Sequence, residues 1–485
     1  MVDCDLHEDK RRRGVSRRSF VKAAAATGAA GSLAGCIYGD GGGGGGSTVV
    51  WGFDPTATQD NGDAIKQALH DNGLSDDISV ELNPGSQDTG ERQNKYNQLL
   101  RAKETTPDMF LMDSGWTVPF IQRGQLLNLS EEMPGDAVQT VKNEYFQASV
   151  STAQDGNGNL FGVPMFPDFP TIQYRKDLVE EAGYDPEGEN WATEPMTWQR
   201  FAEVMKDTQE QTGTRYGFTT QFDIYEGTAC CTFNEFMTSW GGAYFGGRKN
   251  LFGPVGDRPI TVDEQPVLDA IRMVRTFING ENDSESLDGY AGGIAPENIL
   301  SWQEEDSLGP MLNGDAVANR NWPYAIVENS ADDVHGDNLG VMPIPYAVEE
   351  GEAQAQGTGG TAAALGGWHM TVNPNTENKD AVFEVMQAAM TEQFQLTLME
   401  IQGWLPPKPK LFESNKASEV EGIGDHMETL KVAGQNAIPR PVTVVWSDQS
   451  SAIAEEVNAA AAGDKTPQDA MNALKSQLES IEQSG

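Results

Sequence analysis

Along the chain, short apolar runs alternate with longer stretches in which apolar positions recur at helical spacing. The first run, Thr48-Val49-Val50-Trp51-Gly52-Phe53, ends at Asp54-Pro55. Residues 62–70 then read as helix, and Ile78 to Leu82 as a second strand stopped by Asn83-Pro84-Gly85. Residues 91–103 carry Tyr96, Leu99, Leu100 and Ala102 at helical spacing, and Pro107-Asp108 leads into a third strand, Met109 to Met112. Strands and helices alternating at this length predict a mostly parallel sheet with helices on both faces. In such sheets ligands gather beyond the carboxyl ends of the strands, where Asp54, Asp113 and Trp116 fall.

Trp116 to Leu129 reads as helix and turn, and Phe161-Gly162-Val163-Pro164-Met165 opens a second regime. It holds a short strand over 170–175, a helix from Lys176 to Ala182 closed by Gly183, and a helix over 197–213 capped by Thr197. A further helix starts at Asp263 or Glu264, with Val267, Ile271, Val274, Phe277 and Ile278 forming its apolar face. Glycine and proline mark 241–259 and 280–296 as surface loops. Leu339-Gly340-Val341-Met342-Pro343-Ile344-Pro345 has the same small, proline-rich character as 161–165 and opens a third regime. A loose stretch over 351–360 precedes a strand from Gly367 to Val372, a long helix from Lys379 to Met399, and more helix over 415–433 and 450–485. The return of strand-then-helix predicts an α/β protein of two lobes between which the chain crosses more than once.

The head of the chain follows another rule. Arg17-Arg18-Ser19-Phe20-Val21-Lys22 precedes the apolar run Ala23 to Ala34, then Leu33-Ala34-Gly35-Cys36, then the glycines Gly41 to Gly46. A basic region, an apolar core too short and alanine-rich to span a bilayer, and a small-residue cleavage zone make a secretory signal over 1–35. The arginine pair resembles a twin-arginine export signal, and Leu-Ala-Gly-Cys resembles a lipoprotein box in which Cys36 becomes the lipidated first residue. Residues 36–47 would then tether a folded body to the extracellular face of the cell membrane.

Composition bounds that body. Its 485 residues, 38% of them hydrophobic, suffice for two domains. Acidic residues number 73 against 33 lysines and arginines, a formal net charge of -40 that repels nucleic acid and anionic lipid. The pattern resembles that of proteins from halophilic archaea, in which concentrated salt screens self-repulsion. With Cys4 removed in the signal and Cys36 assigned to lipid, only Cys230 and Cys231 remain, as buried free thiols or as a disulfide between neighbours. The five histidines lack metal-ligand spacing, so neither metal nor cofactor is expected. Serine elbow, metal-binding helix and phosphate-cradling loop motifs are absent from the sequence. An exported glycoside hydrolase is the rival class, but among 73 acidic residues a carboxylate pair can always be nominated.

Six segments carry a resemblance. Pro107-Asp108 with Met109 to Met112, Leu160 to Pro164 with Asp168, Tyr174 to Leu178, Asn321-Trp322-Pro323-Tyr324, Gly366-Gly367-Trp368 and Pro439-Arg440-Pro441 fall in an order similar to that of family 1 extracellular solute-binding proteins. The likeness is to the maltose- and trehalose-binding group of carbohydrate ABC importers, over nearly all of 48–485. It implies a type II periplasmic-binding-protein-like fold: lobe 1 from 48–163 plus 343–395, lobe 2 from 168–340 plus 396–485, and hinge segments at 161–167 and 339–345. It also implies a monomeric, non-catalytic protein that closes on a neutral mono-, di- or short oligosaccharide and delivers it to the transmembrane subunits of a permease.

A sugar offers a rim of hydroxyls and apolar C–H faces, so its pocket combines carboxylate acceptors and guanidinium donors with aromatic platforms. Asp113 with Trp116, Trp322 with Tyr324, Trp368, and Arg440 with Trp446 supply that chemistry. The resemblance points first to Asp113, Trp322, Trp368 and Arg440, then to Asp168 and Trp446, and last to Asp54. Each has a structural alternative: Asp113 as a helix cap, Trp368 and Trp322 as core, Arg440 as partner of a surface carboxylate. Thr171-Ile172-Gln173 and Val444-Val445-Trp446 depart from the group's pattern and leave the identity of the sugar open.

Overall fold

The computed structural model describes residues 47–484; the expected export signal with Arg17 and Arg18, the expected lipidation site at Cys36 and the expected glycine tether lie outside the described residues. Strands β1 (Ser47–Phe53), β2 (Ile78–Pro84), β3 (Met109–Asp113) and β4 (Gly162–Asp168) precede β5 (Thr171–Arg175), β6 (Tyr216–Thr219), β7 (Ala316–Asn321) and β8 (Leu339–Met342). Two-residue β9 (Ala363–Ala364), then β10 (Gly366–Val372) and β11 (Ala437–Ile438) complete the set. The order β2-β1-β3-β10-β4 makes the sheet of one lobe, β6-β7-β5-β8 that of the other, and β9 pairs with β11 in a separate two-stranded ribbon.

The two-lobe α/β architecture is the one the sequence predicts, but both sheets are mixed rather than mostly parallel. β1 runs parallel to β2 and β3, whereas β10 is antiparallel to β3 and to β4. In the other lobe β6 and β7 are parallel, and β5 is antiparallel to β7 and β8. Each sheet therefore has one reversed strand, and in each it is the strand by which the chain arrives from the other lobe. β5 follows β4 directly, and β10 follows the long connection from β8. A strand laid down by a crossover helix must run parallel to its predecessor, but one arriving from across a hinge is free of that rule.

Val49, Trp51, Phe53, Met109, Leu111 and Met370 bury the first sheet against Phe383, Phe394 and Leu398. In the second lobe Trp198, Phe201, Phe218, Phe236 and Phe277 form a buried aromatic cluster, joined by Ile453 and Leu474 of the C-terminal helices. The connection after β8 rests on this lobe, with the Ala347 N–H on Ser239 O and the Gly357 N–H on Gly241 O.

The expected long helices are broken by local chemistry. Lys379 to Met399 is two helices, Lys379–Ala389 and Glu392–Gln402, because the Thr391 hydroxyl caps the second by accepting the Phe394 N–H. The C-terminal stretch divides into Trp446–Ala462 and Pro467–Ser484 at Gly463, whose φ of 86° ends the first helix in the left-handed region. Residues 415–433 hold only short pieces around Gly422 before the helix Met427–Gln435 begins. Cys230 and Cys231 are joined as a disulfide inside a buried π-helical turn, Thr228–Thr232, which selects one of the two alternatives the sequence left open.

Candidate functional site

β3 ends at Asp113, and the chain enters the helix Ser114–Gln122 at once. The Asp113 carboxylate caps that helix, Oδ1 accepting the Gly115 N–H at 2.6 Å. It also receives Arg440 from the other lobe, with Nη1 at 3.1 Å from Oδ1 and Nη2 donating to Oδ2 at 3.3 Å. Capping and ion pairing are thus both uses of one side chain. Gly115 makes the approach possible, since a Cβ there would lie 2.8 Å from Arg440 Nη1.

Arg440 does not stop at Asp113. Nη1 also donates to Glu226 Oε1 at 3.1 Å, and Glu226 gathers two indoles: Trp446 Nε1 at 3.1 Å and, from the first lobe, Trp116 Nε1 at 3.4 Å. Asp113 and Trp116 stand on one lobe and Glu226, Arg440 and Trp446 on the other, so the network bridges them. Burial lifts the pKa of Asp113 above the ordinary carboxylate value; Arg440 opposes the lift and Glu226 adds to it. For Arg440 burial works against the charge, but the two carboxylates outweigh it and hold the guanidinium charged.

Trp368 lies opposite Asp113 in the β10–β3 register. It meets Trp116 edge to face, ring centroids 5.4 Å apart at 81°. The Arg92 guanidinium also sits 4.8 Å over the Trp368 ring, and Arg92 pairs with Asp54 at 3.4 Å. Asp54 is likewise a cap, accepting the Ala57 N–H at 2.9 Å for the helix Pro55–Asp71.

A second group forms where β4 and β10 begin to part. Asp168 lies opposite Gly366, and a Cβ on Gly366 would come 2.9 Å from the Trp322 ring, so glycine is what lets that indole pack here. Arg320 lies 4.7 Å beneath Trp322. It donates Nε–H to Glu235 at 2.9 Å, forms a second bond to the same carboxylate through Nη2, and gives Nη1–H to Gln221 at 3.0 Å. Glu235 also accepts the Ala364 N–H at 3.0 Å, which ties β9 to this lobe. Burial carries the pKa of Asp168 well above the ordinary value, against the pull of Arg320 and with the push of Asp113.

Asp113, Trp116, Trp368, Arg440 and Trp446 therefore come together directly, Asp54 joins them through Arg92, and Asp168 with Trp322 makes a neighbouring corner against Gly366 at the start of β10. Tyr324 joins neither group. Its ring packs against the apolar cluster containing Phe169 and Leu405, and its hydroxyl stands beside Glu305, whose carboxyl is pushed up to about 7 by burial and then by Glu328. Sequence reasoning missed Arg92, Glu226, Arg320 and Glu235. Arg92 had a signal, since it continues the buried stripe Tyr96–Leu100 at four-residue spacing; Glu226 is one of 73 acidic residues and had none.

Two half-buried indoles, Trp322 and Trp368, with carboxylates and guanidinium groups at their edges suit a ligand that has apolar faces and a hydroxyl rim. The profile described as bacterial extracellular solute-binding protein matches residues 58–396. The chain belongs to that family. An extracytoplasmic location follows from it. A "Probable ABC transporter-binding protein" of Deinococcus radiodurans is 26% identical over 400 residues, covering 80% of this chain and 83% of the relative. Among solved structures, maltose-bound MalE3 of T. maritima superposes with a TM-score of 0.74 at 25% identity, covering 90% of this chain and all of that one (100%). A solute-binding protein of Thermotoga lettingae bound to α-D-tagatose shares the fold, with a TM-score of 0.70, 18% identity and coverage of 90% and 100%.

Proposed function

We propose that this solute-binding protein is the carbohydrate receptor of an ABC importer, closing its lobes on a neutral saccharide and presenting it, unaltered, to a permease. The observation that carries the proposal is that Trp368 on β10 and Trp322, packed against Gly366 of the same strand, stand beside the carboxylates Asp113 and Asp168 of one sheet, with Arg440 reaching across the lobes. The maltose and tagatose in the two solved relatives support the same ligand class. A glucose-containing disaccharide or short oligosaccharide is the proposed cargo.

Calorimetric titration of neutral sugars in multimolar salt tests the reading. A saturable disaccharide site is expected, with affinity reduced by about 2 kcal/mol or more in Trp368→Ala, the loss of a buried aromatic contact. Recovery of the sugar intact after incubation is expected as well. Tight binding of an amino acid with no sugar response would overturn the ligand class, and release of hydrolysed sugar would favour the glycoside hydrolase.

Export through the paired arginines and anchoring through a lipid on Cys36 belong to the same proposal, supported by the order of signal, lipoprotein box and glycine run. The mass of the native mature chain decides it: an unmodified Cys36 or a start elsewhere removes the anchor. The net charge of -40 supports a halophilic setting, in which the melting temperature rises from low to multimolar potassium chloride. A melting temperature indifferent to salt would contradict that setting.

A further inference from the structure

Arg440 and Trp446 reach the bridge from an irregular segment between β11 and the helix Trp446–Ala462, and that segment has little of its own to fix it. Pro439 and Pro441 flank Arg440 and have no N–H to donate, and Val445, at the head of the helix, supplies no side-chain cap. The Val442 N–H finds its partner outside the segment, in Leu251 O at 3.2 Å.

Arg258 gathers these pieces. Its buried guanidinium lies 3.8 Å over the Phe245 ring, and Nη1 donates to Asn250 O at 3.2 Å and to Leu251 O at 3.4 Å, the same carbonyl that receives Val442. Nη2 donates to Gln449 Oε1 at 3.0 Å, in the first turn of the helix that Trp446 opens, and to Thr443 Oγ1 at 3.5 Å. Nε and Nη2 both reach Glu482 Oε1, at 3.0 and 2.7 Å, and Glu482 also accepts the Gln449 amide and the Gly256 N–H, each at 2.6 Å. Every nitrogen of one planar fork is thus committed. Among the described residues no hydrogen bond or ion pair joins Arg258 to Asp113, Glu226, Arg440 or Trp446, so any influence on them passes through the loop carbonyls, Thr443 and Gln449.

The far end of the same helix has an arginine too. Arg275 pairs with Asp283 at 2.7 Å and donates to Ala460 O at 3.2 Å and Lys465 O at 3.3 Å. Both arginines fasten the helix, but by the helical rise Arg275 does so about 20 Å from Trp446. We infer that Arg258 is a positioning residue for ligand binding: by tying the loop carbonyls and the first helical turn to one buried carboxylate, it sets where Arg440 and Trp446 meet Glu226 and Asp113. The inference rests on the carbohydrate reading and adds to it a residue outside the cleft on which affinity depends.

Glucose, maltose, trehalose and maltotriose titrated into the mature protein in multimolar salt, with each variant also melted without sugar, test this. Arg258→Met alone should melt lower and bind about tenfold more weakly. Adding Glu482→Met should return the melting temperature to near that of wild type, because an apolar pair no longer leaves a carboxylate buried alone, while the tenfold loss of affinity stays. Arg258→Lys, which keeps the charge without the fork and does not depend on the methionine pair folding, should show the same split. Arg275→Met with Asp283→Met is the control and should leave affinity within about twofold. The indole N–H resonance of Trp446, assigned from Trp446→Phe, should shift in the Arg258 variants and stay in place in the Arg275 pair. Affinity that returns with the melting temperature, or an equal loss in the Arg275 pair, makes Arg258 a support only and overturns the inference, leaving the carbohydrate reading standing. Failure of wild-type protein to bind any of the four sugars overturns both.

Discussion

Arg320 and Arg440 are both buried and both held by carboxylates, yet they join different things. Arg320 binds Glu235 and Gln221 of its own lobe, under Trp322, and Glu235 in turn holds the backbone of β9. Arg440 binds Asp113 across the cleft while sharing Glu226 with Trp116 and Trp446. The first set of contacts survives any rigid-body separation of the lobes. Of the second, the contacts to Asp113 and Trp116 are broken by it, while those among Arg440, Glu226 and Trp446 remain. One arginine is therefore part of a preformed platform, the other part of what makes the closed state favourable, and substitutions should separate the two roles.

The largest effect is expected at the platform. Arg320→Met leaves Glu235 buried without its main partner, a defect that typically costs about 3 to 5 kcal/mol of folding stability. Thermal and denaturant unfolding of the sugar-free protein reads this directly, and the double variant Arg320→Met with Glu235→Met should recover most of the loss. A cost below about 1 kcal/mol would mean that water reaches the pair and that the platform is not fixed.

At the bridge the readout moves from stability to affinity. Arg440→Met should lower sugar affinity by about 2 to 4 kcal/mol, because closure would then bury Asp113 and Glu226 without their common cation. Sugar-free stability should change little, since with the lobes apart water solvates all three groups. Glu226→Gln is gentler: the amide oxygen can still accept an indole N–H, but the charged contact to Arg440 is lost, and a fall of about 1 to 2 kcal/mol is expected. Scattering from the sugar-free protein sharpens the comparison. If Arg440→Met expands the sugar-free molecule, the bridge already holds the lobes together before sugar arrives; if dimensions are unchanged and only affinity drops, the bridge forms with the ligand.

Legibility in the sequence follows the same division. The first lobe's early strands carry apolar runs that stand beside turn signals, so β1 and β3 were readable from hydrophobicity alone. β7 was not, because its run Ala316-Val317-Ala318 gives way to Asn319-Arg320-Asn321, three polar residues that are nonetheless fully buried. A buried polar strand becomes intelligible only when its partners are known, here Thr219 and Ser307 for Asn319 and Glu235 for Arg320. Helix lengths misled for a local reason, since Thr391 can either sit inside a helix or cap a new one. At the site, tryptophans and an arginine between prolines were conspicuous as residue types. Glu226 was not, for in a chain this acidic one carboxylate carries no signal until two indoles and a guanidinium are seen to converge on it.

The smallest expected effect is a slope in pH, and it probes the boundary between platform and bridge. Asp168 stands near both, with Arg320 lowering its pKa and Asp113 raising it against a dominant lift from burial. Its folded-state pKa therefore lies above the ordinary 3.8. Between that ordinary value and the raised one, the folded protein binds more protons at this position than the unfolded chain does, so stability falls as pH rises through the window. Above the raised value the full cost of a buried charge is present, and below 3.8 both states are protonated and the contribution vanishes. Asp168→Asn should flatten that part of the stability profile, measured by melting at constant high salt from acid to neutral pH. Removing the nearby cation should do the opposite: in Arg320→Met the window ought to extend upward, because the remaining influences on Asp168 all favour the protonated form. An unchanged profile in Asp168→Asn would mean that this carboxylate is solvated in the sugar-free protein, and that its burial, like the contacts of Arg440, belongs to closure rather than to the platform.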